Sequence, residues 1–137
     1  MNINIRKGSL LPAIKRTITQ QKINSYADAS GDHNPIHVDE TFAAATPLGG
    51  TIAHGMLVLA YLSELMTKSF GTTWFTTGNL NIRFKAPARP GDELTVTGEI
   101  DSISEENNSK IVTCNLNCVN QKEETIVAGS AIVKINI

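Results

Sequence analysis

The chain has 137 residues, a formal net charge of −1 and 41% hydrophobic residues, a composition that predicts one domain over 1–137 with a substantial core. The nearly balanced charge gives no electrostatic basis for binding nucleic acid or an anionic membrane. The N-terminus lacks the continuous apolar segment of a signal peptide. We therefore expect a cytoplasmic protein with neither nucleic acid nor membrane as a partner.

The two cysteines, Cys114 and Cys118, lie in one strand-like segment. An extended chain rises about 3.3 Å per residue, so their Cα atoms would be about 13 Å apart, too far for a disulfide. Their spacing also differs from that of paired zinc ligands. We predict two core thiols, which fits a reducing cytoplasm.

The first part of the chain predicts one early strand and two helices. Residues 12–19 are predicted to form the strand, and Thr19 can cap a helix over 20–29, in which apolar residues recur at helical spacing. Residues 31–37 are predicted to form a loop, because the proline at position 35 disfavours helical geometry in the residue before it. A short helix is expected over 39–45, with an acidic first turn.

The segment Ile52–Phe70 is apolar on nearly every face and predicts the central helix of the domain. Ser63, Glu64 and Lys68 interrupt it well before the roughly 20 apolar residues that a membrane span needs. We therefore expect the remaining chain to wrap this helix. Gly55 would lie in its first turn, where backbone N–H groups have no partner within the helix.

The second half changes to the two-residue period of strands. Apolar and polar residues alternate in four segments, 80–84, 94–98, 112–118 and 127–135. A turn is predicted at Pro90-Gly91-Asp92 and a polar hairpin loop at 105–109. Strands this close in sequence predict an antiparallel sheet with one apolar face. The fold class is therefore α+β, a sheet around a long central helix.

The densest polar cluster of the chain runs from Asp32 to Asp39. In a loop, Asp32 and His37 can converge, and an imidazole beside a carboxylate can take a proton from water and return it near neutral pH. A helix start at Gly55 would add backbone donors for a developing oxyanion. Together these groups are typical of reversible water addition next to a carbonyl.

The other histidines of this region have simpler interpretations. His33 is expected to point to solvent, and His54 is interpreted as a structural residue that can hydrogen-bond to the catalytic loop. A metal site built from Asp32, His33, His37 and His54 would match none of the usual ligand spacings. We therefore predict no metal.

Two segments resemble the MaoC-like hydratases, a family that includes the (R)-specific enoyl-CoA hydratases: Tyr26-Ala27-x-x-Ser30-Gly31-Asp32-x-Asn34-Pro35-Ile36-His37 and Ile52-Ala53-His54-Gly55-Met56. Arg83-Phe84 and Pro90-Gly91-Asp92 also fit the later strands of that family. The resemblance implies a hot-dog fold, in which the sheet wraps the central helix. It also implies a homodimer with acyl tunnels near the subunit interface, and no cofactor.

By position, the resemblance implies that Asp32 and His37 are the catalytic pair and that Gly55 gives the oxyanion N–H. Asn34, which supports the loop, and Ser63, near the acyl pocket, are the implied substrate-binding residues. The implied reaction hydrates a trans-2-enoyl-CoA to the (R)-3-hydroxyacyl-CoA, or the reverse, and belongs to fatty acid metabolism.

Three alternatives remain open from the sequence. The same chemistry can act on a substrate carried by acyl carrier protein. A hot-dog thioesterase would use an acidic residue of the central helix, and Glu64 is the acid that this helix offers. A protein that has kept the fold and lost turnover would be an acyl-CoA-binding module.

Overall fold

The structure, a computed structural model, describes residues 4–136. In chain order its elements are β1 (Ile14–Thr17), α1 (Gln20–Ser30), α2 (Pro35–Val38), α3 (Glu40–Ala44), α4 (Gly55–Phe70), α5 (Thr72–Thr77), β2 (Asn79–Phe84), β3 (Glu93–Glu106), β4 (Ser109–Val119) and β5 (Thr125–Asn136). Residues 1–3 and 137, which the predicted domain 1–137 includes, lie outside this description. Within it, every helix is too short or too polar to cross a bilayer.

The strands form one antiparallel sheet, as the alternating segments predicted, and their order in the structure is β1-β3-β4-β5-β2. The hairpin loop expected at 105–109 is shorter, because β3 continues to Glu106 and β4 begins at Ser109. Asn107 and Asn108 make the turn with φ of 49° and 63°. Asparagine tolerates this left-handed region better than most residues, so two residues suffice to connect the strands.

The central helix α4 begins at Gly55 and packs one face against the sheet. That face is fully buried and carries Val58, Leu62, Leu65, Met66 and Phe70. The prediction that the helix is wrapped on nearly every face is wrong for the single chain, since Met56 is 56% exposed and Ala60 is also exposed. A five-stranded sheet covers one side of a helix and leaves the opposite side open.

The N-terminal helices follow the capping signals of the sequence. Thr19 caps α1 with its side chain, and Gly31 ends the helix at φ 80°. The loop predicted over 31–37 is wrong in part, because Pro35–Val38 forms a short helix capped by the Asn34 side chain. Proline disrupts helix interiors but suits a first helical position, so Pro35 begins a helix and Asn34 stays outside it as the cap.

Candidate active site

The loop between α1 and α2 brings Asp32 and His37 together. Oδ2 of Asp32 lies 3.9 Å from Nε2 of His37, with side-chain exposures of 54% and 12%. The other carboxylate oxygen accepts the backbone N–H of Asn34 at 3.2 Å, which orients Asp32. A water oxygen between the pair can lie within about 2.8 Å of both atoms, so the gap suits one shared water.

The hydrogen bonds of His37 determine which ring nitrogen faces this gap as an acceptor. Nδ1 lies 2.8 Å from the backbone oxygen of Ile52. A carbonyl oxygen can only accept, so Nδ1 carries the proton in the neutral ring. Nε2 therefore presents its lone pair toward Asp32. A neutral His37 in this tautomer can accept a proton from the water.

A second layer of side chains holds the short helix that carries His37. Nε2 of Gln20 donates to the backbone oxygen of His37 at 2.8 Å. Oε1 of Gln20 accepts the hydroxyl proton of Thr51 at 2.7 Å, and Thr51 is only 3% exposed. Neither residue stands out in the sequence, because a polar side chain bonded to a backbone oxygen leaves no motif. The only feature of the sequence that could have indicated a supporting role is the position of Gln20 in the first turn of the predicted helix α1.

His54 lies against the same loop, as its interpretation as a structural residue predicted. Its ring is 2% exposed, and its Nε2 lies 3.0 Å from the backbone oxygen of Asp32. The rings of His37 and His54 stack, with centroids 3.8 Å apart and planes inclined by 26°. Tyr26 contacts the His54 ring with a centroid separation of 4.8 Å.

Asp32, His37 and His54 bring possible ligand atoms within 4.8 Å of one another, whereas His33 is not part of the cluster. An imidazole binds a metal in its own ring plane, about 2.0–2.1 Å from nitrogen for zinc. The nearly parallel planes of the stacked rings do not meet at that distance from both rings. The arrangement therefore favours acid–base chemistry over a shared metal.

His33 points to solvent, as predicted, with 57% of its side chain exposed. Its Nε2 lies 2.9 Å from Oδ1 of Asp28. The Asp28 carboxylate accepts a hydrogen bond from the His33 ring, which raises the pKa of His33 above its ordinary value. Both side chains of this pair are exposed on the outer side of the loop, and among the described residues neither hydrogen-bonds to the side chain of Asp32 or His37.

The N-terminus of α4 adjoins an apolar cleft of about 370 Å³. A Cβ at Gly55 would lie 3.0 Å from the Phe84 ring, so the glycine keeps the approach to the first-turn N–H groups open. The cleft lining is almost entirely apolar, with Leu48, Ile52, Val58, Phe84, Ala86 and Ile126 among its residues. Phe84, predicted on the apolar face of its strand, is 54% exposed and forms one wall of this cleft.

The two predicted substrate-binding side chains already have protein partners. Oδ1 of Asn34 accepts the backbone N–H of Ile36 at 3.1 Å. Oγ of Ser63 accepts the indole N–H of Trp74 at 2.9 Å. Ser63 also lies about 12 Å along the helix axis from Gly55, at a rise of about 1.5 Å per residue. Asn34 supports the loop, while a contact of either residue with substrate stays a prediction.

Comparisons with known proteins found relatives that are named as dehydratases and hydratases. The 3-hydroxyacyl-thioester dehydratase Z of Mycobacterium tuberculosis is 39% identical over 99 residues, which cover 69% of this chain and 66%, slightly less than two thirds, of that relative. The (R)-specific enoyl-CoA hydratase of Rhodospirillum rubrum is 31% identical over 123 residues, covering 90% of this chain and 83% of the relative.

Among solved structures, an (R)-hydratase from A. caviae involved in PHA biosynthesis superposes with a TM-score of 0.83 at 27% identity. The superposition covers 96% of this chain and 97% of that structure, which confirms the predicted hot-dog fold. The family model described as the MaoC like domain matches residues 4–121. The chain therefore belongs to the MaoC-like family, as the two segments around Asp32 and His54 predicted.

Proposed function

We propose that the protein adds water reversibly to trans-2-enoyl thioesters, giving (R)-3-hydroxyacyl thioesters, with enoyl-CoA as the substrate. The observation that carries the proposal is the 3.9 Å gap between Oδ2 of Asp32 and the lone-pair nitrogen of His37. The family and the hydratase relatives support the same assignment.

In the proposed mechanism, one water bridges Asp32 and His37. Nε2 of His37 takes a proton from this water as its oxygen bonds to C3 of the substrate. The proton then passes from Nε2 of His37 across the 3.9 Å gap to Oδ2 of Asp32, and Asp32 delivers it to C2, so both side chains regain their starting protonation states. The tautomer of His37 supports its role as the base, because Nδ1 is already committed to the Ile52 carbonyl.

Negative charge develops on the thioester oxygen as water attacks. The N–H of Gly55, at the positive end of α4, would stabilise that charge. The apolar cleft beside Gly55 suits the acyl part of the substrate, since it can be buried there without unpaired polar groups.

The test compares turnover of a short enoyl-CoA, followed by loss of enoyl absorbance, in Asp32→Asn, His37→Gln and the double variant. Each single change should lower kcat by about 10²- to 10⁴-fold. Because the two side chains share one water, the double variant should be hardly slower than the slower single variant. His33→Gln, on the outer side of the loop, is the matched control and should keep wild-type turnover. Full additivity of the two losses would contradict a shared water.

Glu64, the residue on which a thioesterase would depend, has a different environment. Its carboxylate accepts Nε of Arg16 at 3.1 Å and pairs with a second guanidinium nitrogen, while Lys68 lies 3.8 Å away. Both oxygens of this carboxylate are therefore already engaged by cationic side chains, an environment that favours a structural ion pair over thioester chemistry. Thiol release from acyl-CoA, measured beside loss of enoyl absorbance, separates the two activities.

Two further experiments distinguish CoA from acyl carrier protein as the substrate carrier, and an enzyme from an acyl-CoA-binding module. Equal amounts of the same enoyl group on CoA and on acyl carrier protein show which handle is preferred. Tight binding of acyl-CoA over a chain-length series, without turnover of any member, would support the binding module instead.

We propose a homodimer as the working assembly. The side of α4 away from the sheet leaves Met56 and Ala60 exposed, and β2 is an edge strand of the described sheet. Uncovered apolar surface and an unpaired strand edge both favour association with a second chain. A symmetric dimer would cover the same surfaces of both copies at once.

We also propose a cytoplasmic location, supported by two buried free thiols, Cys114 and Cys118. Burial raises the pKa of Cys114 to about 11 and that of Cys118 to about 12. Both are therefore unreactive core side chains at neutral pH. Cell fractionation checks the location.

A further inference from the structure

We propose that His54 is a positioning residue that holds Asp32 and His37 at the spacing needed for one shared water; this inference rests on the proposed function. His54 is 2% exposed and contacts both members of the pair. Its N–H group anchors the backbone of Asp32, and its ring face supports the ring of His37.

The tautomer of His54 follows from the same reasoning as that of His37. Nε2 faces the carbonyl oxygen of Asp32, which can only accept, so Nε2 carries the proton. Nδ1 is then a buried acceptor without a partner among residues 4–136. A phenyl ring would fill the same space without leaving an unpaired acceptor. Packing alone would therefore favour phenylalanine here, and the N–H group to Asp32 is the feature that the imidazole adds.

The stack gives His54 a second function beside the hydrogen bond. The His54 ring contacts the Tyr26 ring and stacks on the His37 ring, with centroid distances of 4.8 Å and 3.8 Å. This fixes the plane of the His37 ring, while the bond from Nδ1 to Ile52 fixes its rotation in that plane. Asp32 lies in the loop and His37 in α2, so one ring that contacts both sets their separation.

Two variants separate the hydrogen bond from the stack. His54→Phe keeps an aromatic ring against His37 and loses the N–H group to Asp32. His54→Gln can keep an N–H donor near the position of Nε2 and loses the ring. We expect each to lower kcat by about 10- to 100-fold, because misplacement by about 1 Å costs rates of this order. KM should change less than about twofold, since His54 does not line the apolar cleft.

The decisive measurement repeats His54→Phe in a His37→Gln background. A positioning residue acts through its partner, so the second change should lower kcat there by less than about twofold. An equal loss of kcat in both backgrounds would show a general structural role and overturn the proposal. Wild-type kcat in His54→Phe and His54→Gln would also overturn it. Ile100→Ala, in the core of β3, is the matched control, which should lower the Tm and leave kcat unchanged.

The tautomer of His37 can be measured by NMR without any turnover, so this measurement tests the positioning role separately from the proposed function. In the wild type, the ¹⁵N shifts of the His37 ring should report a proton on Nδ1, whereas in His54→Gln, which loses the ring stacked on His37, they should move toward a mixture of tautomers. Unchanged shifts in that variant would overturn the positioning role even if no enoyl thioester is turned over. Absence of wild-type hydratase turnover with the expected shifts would instead count against the proposed function alone.

Discussion

At the scale of single residues, the two ring nitrogens of His37 have different surroundings. Nδ1 bonds to the main chain of Ile52, three residues before the first residue of the central helix, and Nε2 faces Asp32. The imidazole therefore connects the loop that carries the acid to the segment that leads into Gly55. Because the anchor is a backbone oxygen, the side chain at position 52 can vary without changing the tautomer of His37.

A substitution at Gly55 tests whether turnover requires a substrate oxygen to approach the first-turn N–H groups of α4 closely. We expect Gly55→Ala to lower kcat/KM by about 10²- to 10³-fold, because its methyl group would block a substrate oxygen from the first-turn N–H groups. The fold should persist, since the new Cβ lies 3.0 Å from a Phe84 ring that is 54% exposed and can move. Adding Phe84→Leu relieves that contact. Recovery of turnover in the double variant would show that the loss came from a displaced Phe84.

The Asp28–His33 pair gives a pH-dependent prediction on the outer side of the loop. The hydrogen bond that His33 donates to the Asp28 carboxylate raises the pKa of His33, so Asp28→Asn should return this pKa toward its ordinary value, as measured by NMR titration of the ring protons. A raised folded-state pKa stabilises the fold below the pKa of the unfolded state. That contribution is lost as pH rises through the folded-state pKa. An unchanged His33 titration in Asp28→Asn would contradict this pairing in solution.

At the scale of helices and strands, the sequence pattern predicted those elements that depend on residues close together in the chain. The caps of α1 and the four alternating strands follow from side chains near in sequence. Helix α5 does not, because Thr72–Thr77 is rich in β-branched residues that disfavour helices. Trp74 is 7% exposed and bonds to Ser63 of α4, so tertiary packing supports this helix. A sequence pattern does not reveal such support.

The pairing of β2 with β5 depends on a close approach at Gly129. A Cβ there would lie 2.2 Å from the backbone oxygen of Asn81, a contact that no side-chain rotation relieves. We expect Gly129→Ala to lower the free energy of unfolding by about 1–3 kcal/mol or more, the usual cost of overpacking. Denaturant unfolding measures this loss. Ser130→Ala, one residue along the same strand, is the control and should change stability little; equal stability of both variants would contradict the close approach.

At the scale of the whole molecule, the central helix carries more apolar surface than one sheet covers. The sequence predicted a helix surrounded by protein, and the single chain buries one face of it. The physical reason is that the sequence indicates how much apolar surface must be buried, but not whether the same chain or a second chain buries it. The same limit applies to the site, where the pair at Asp32 and His37 was predictable and its supports at Gln20 and Thr51 were not.

The proposed homodimer can be tested by its mass in solution. Sedimentation or light scattering should give twice the mass of one chain for the wild type. Ala60→Glu places a charge on the uncovered side of α4, where burial against a second copy would desolvate it, so the variant should sediment as a monomer. Leu10→Lys is the matched control, because Leu10 is 75% exposed and pairs with β3, away from the β2 edge. A dimer that survives Ala60→Glu would place the interface elsewhere. A monomeric wild type with full turnover would show that one chain holds the complete site.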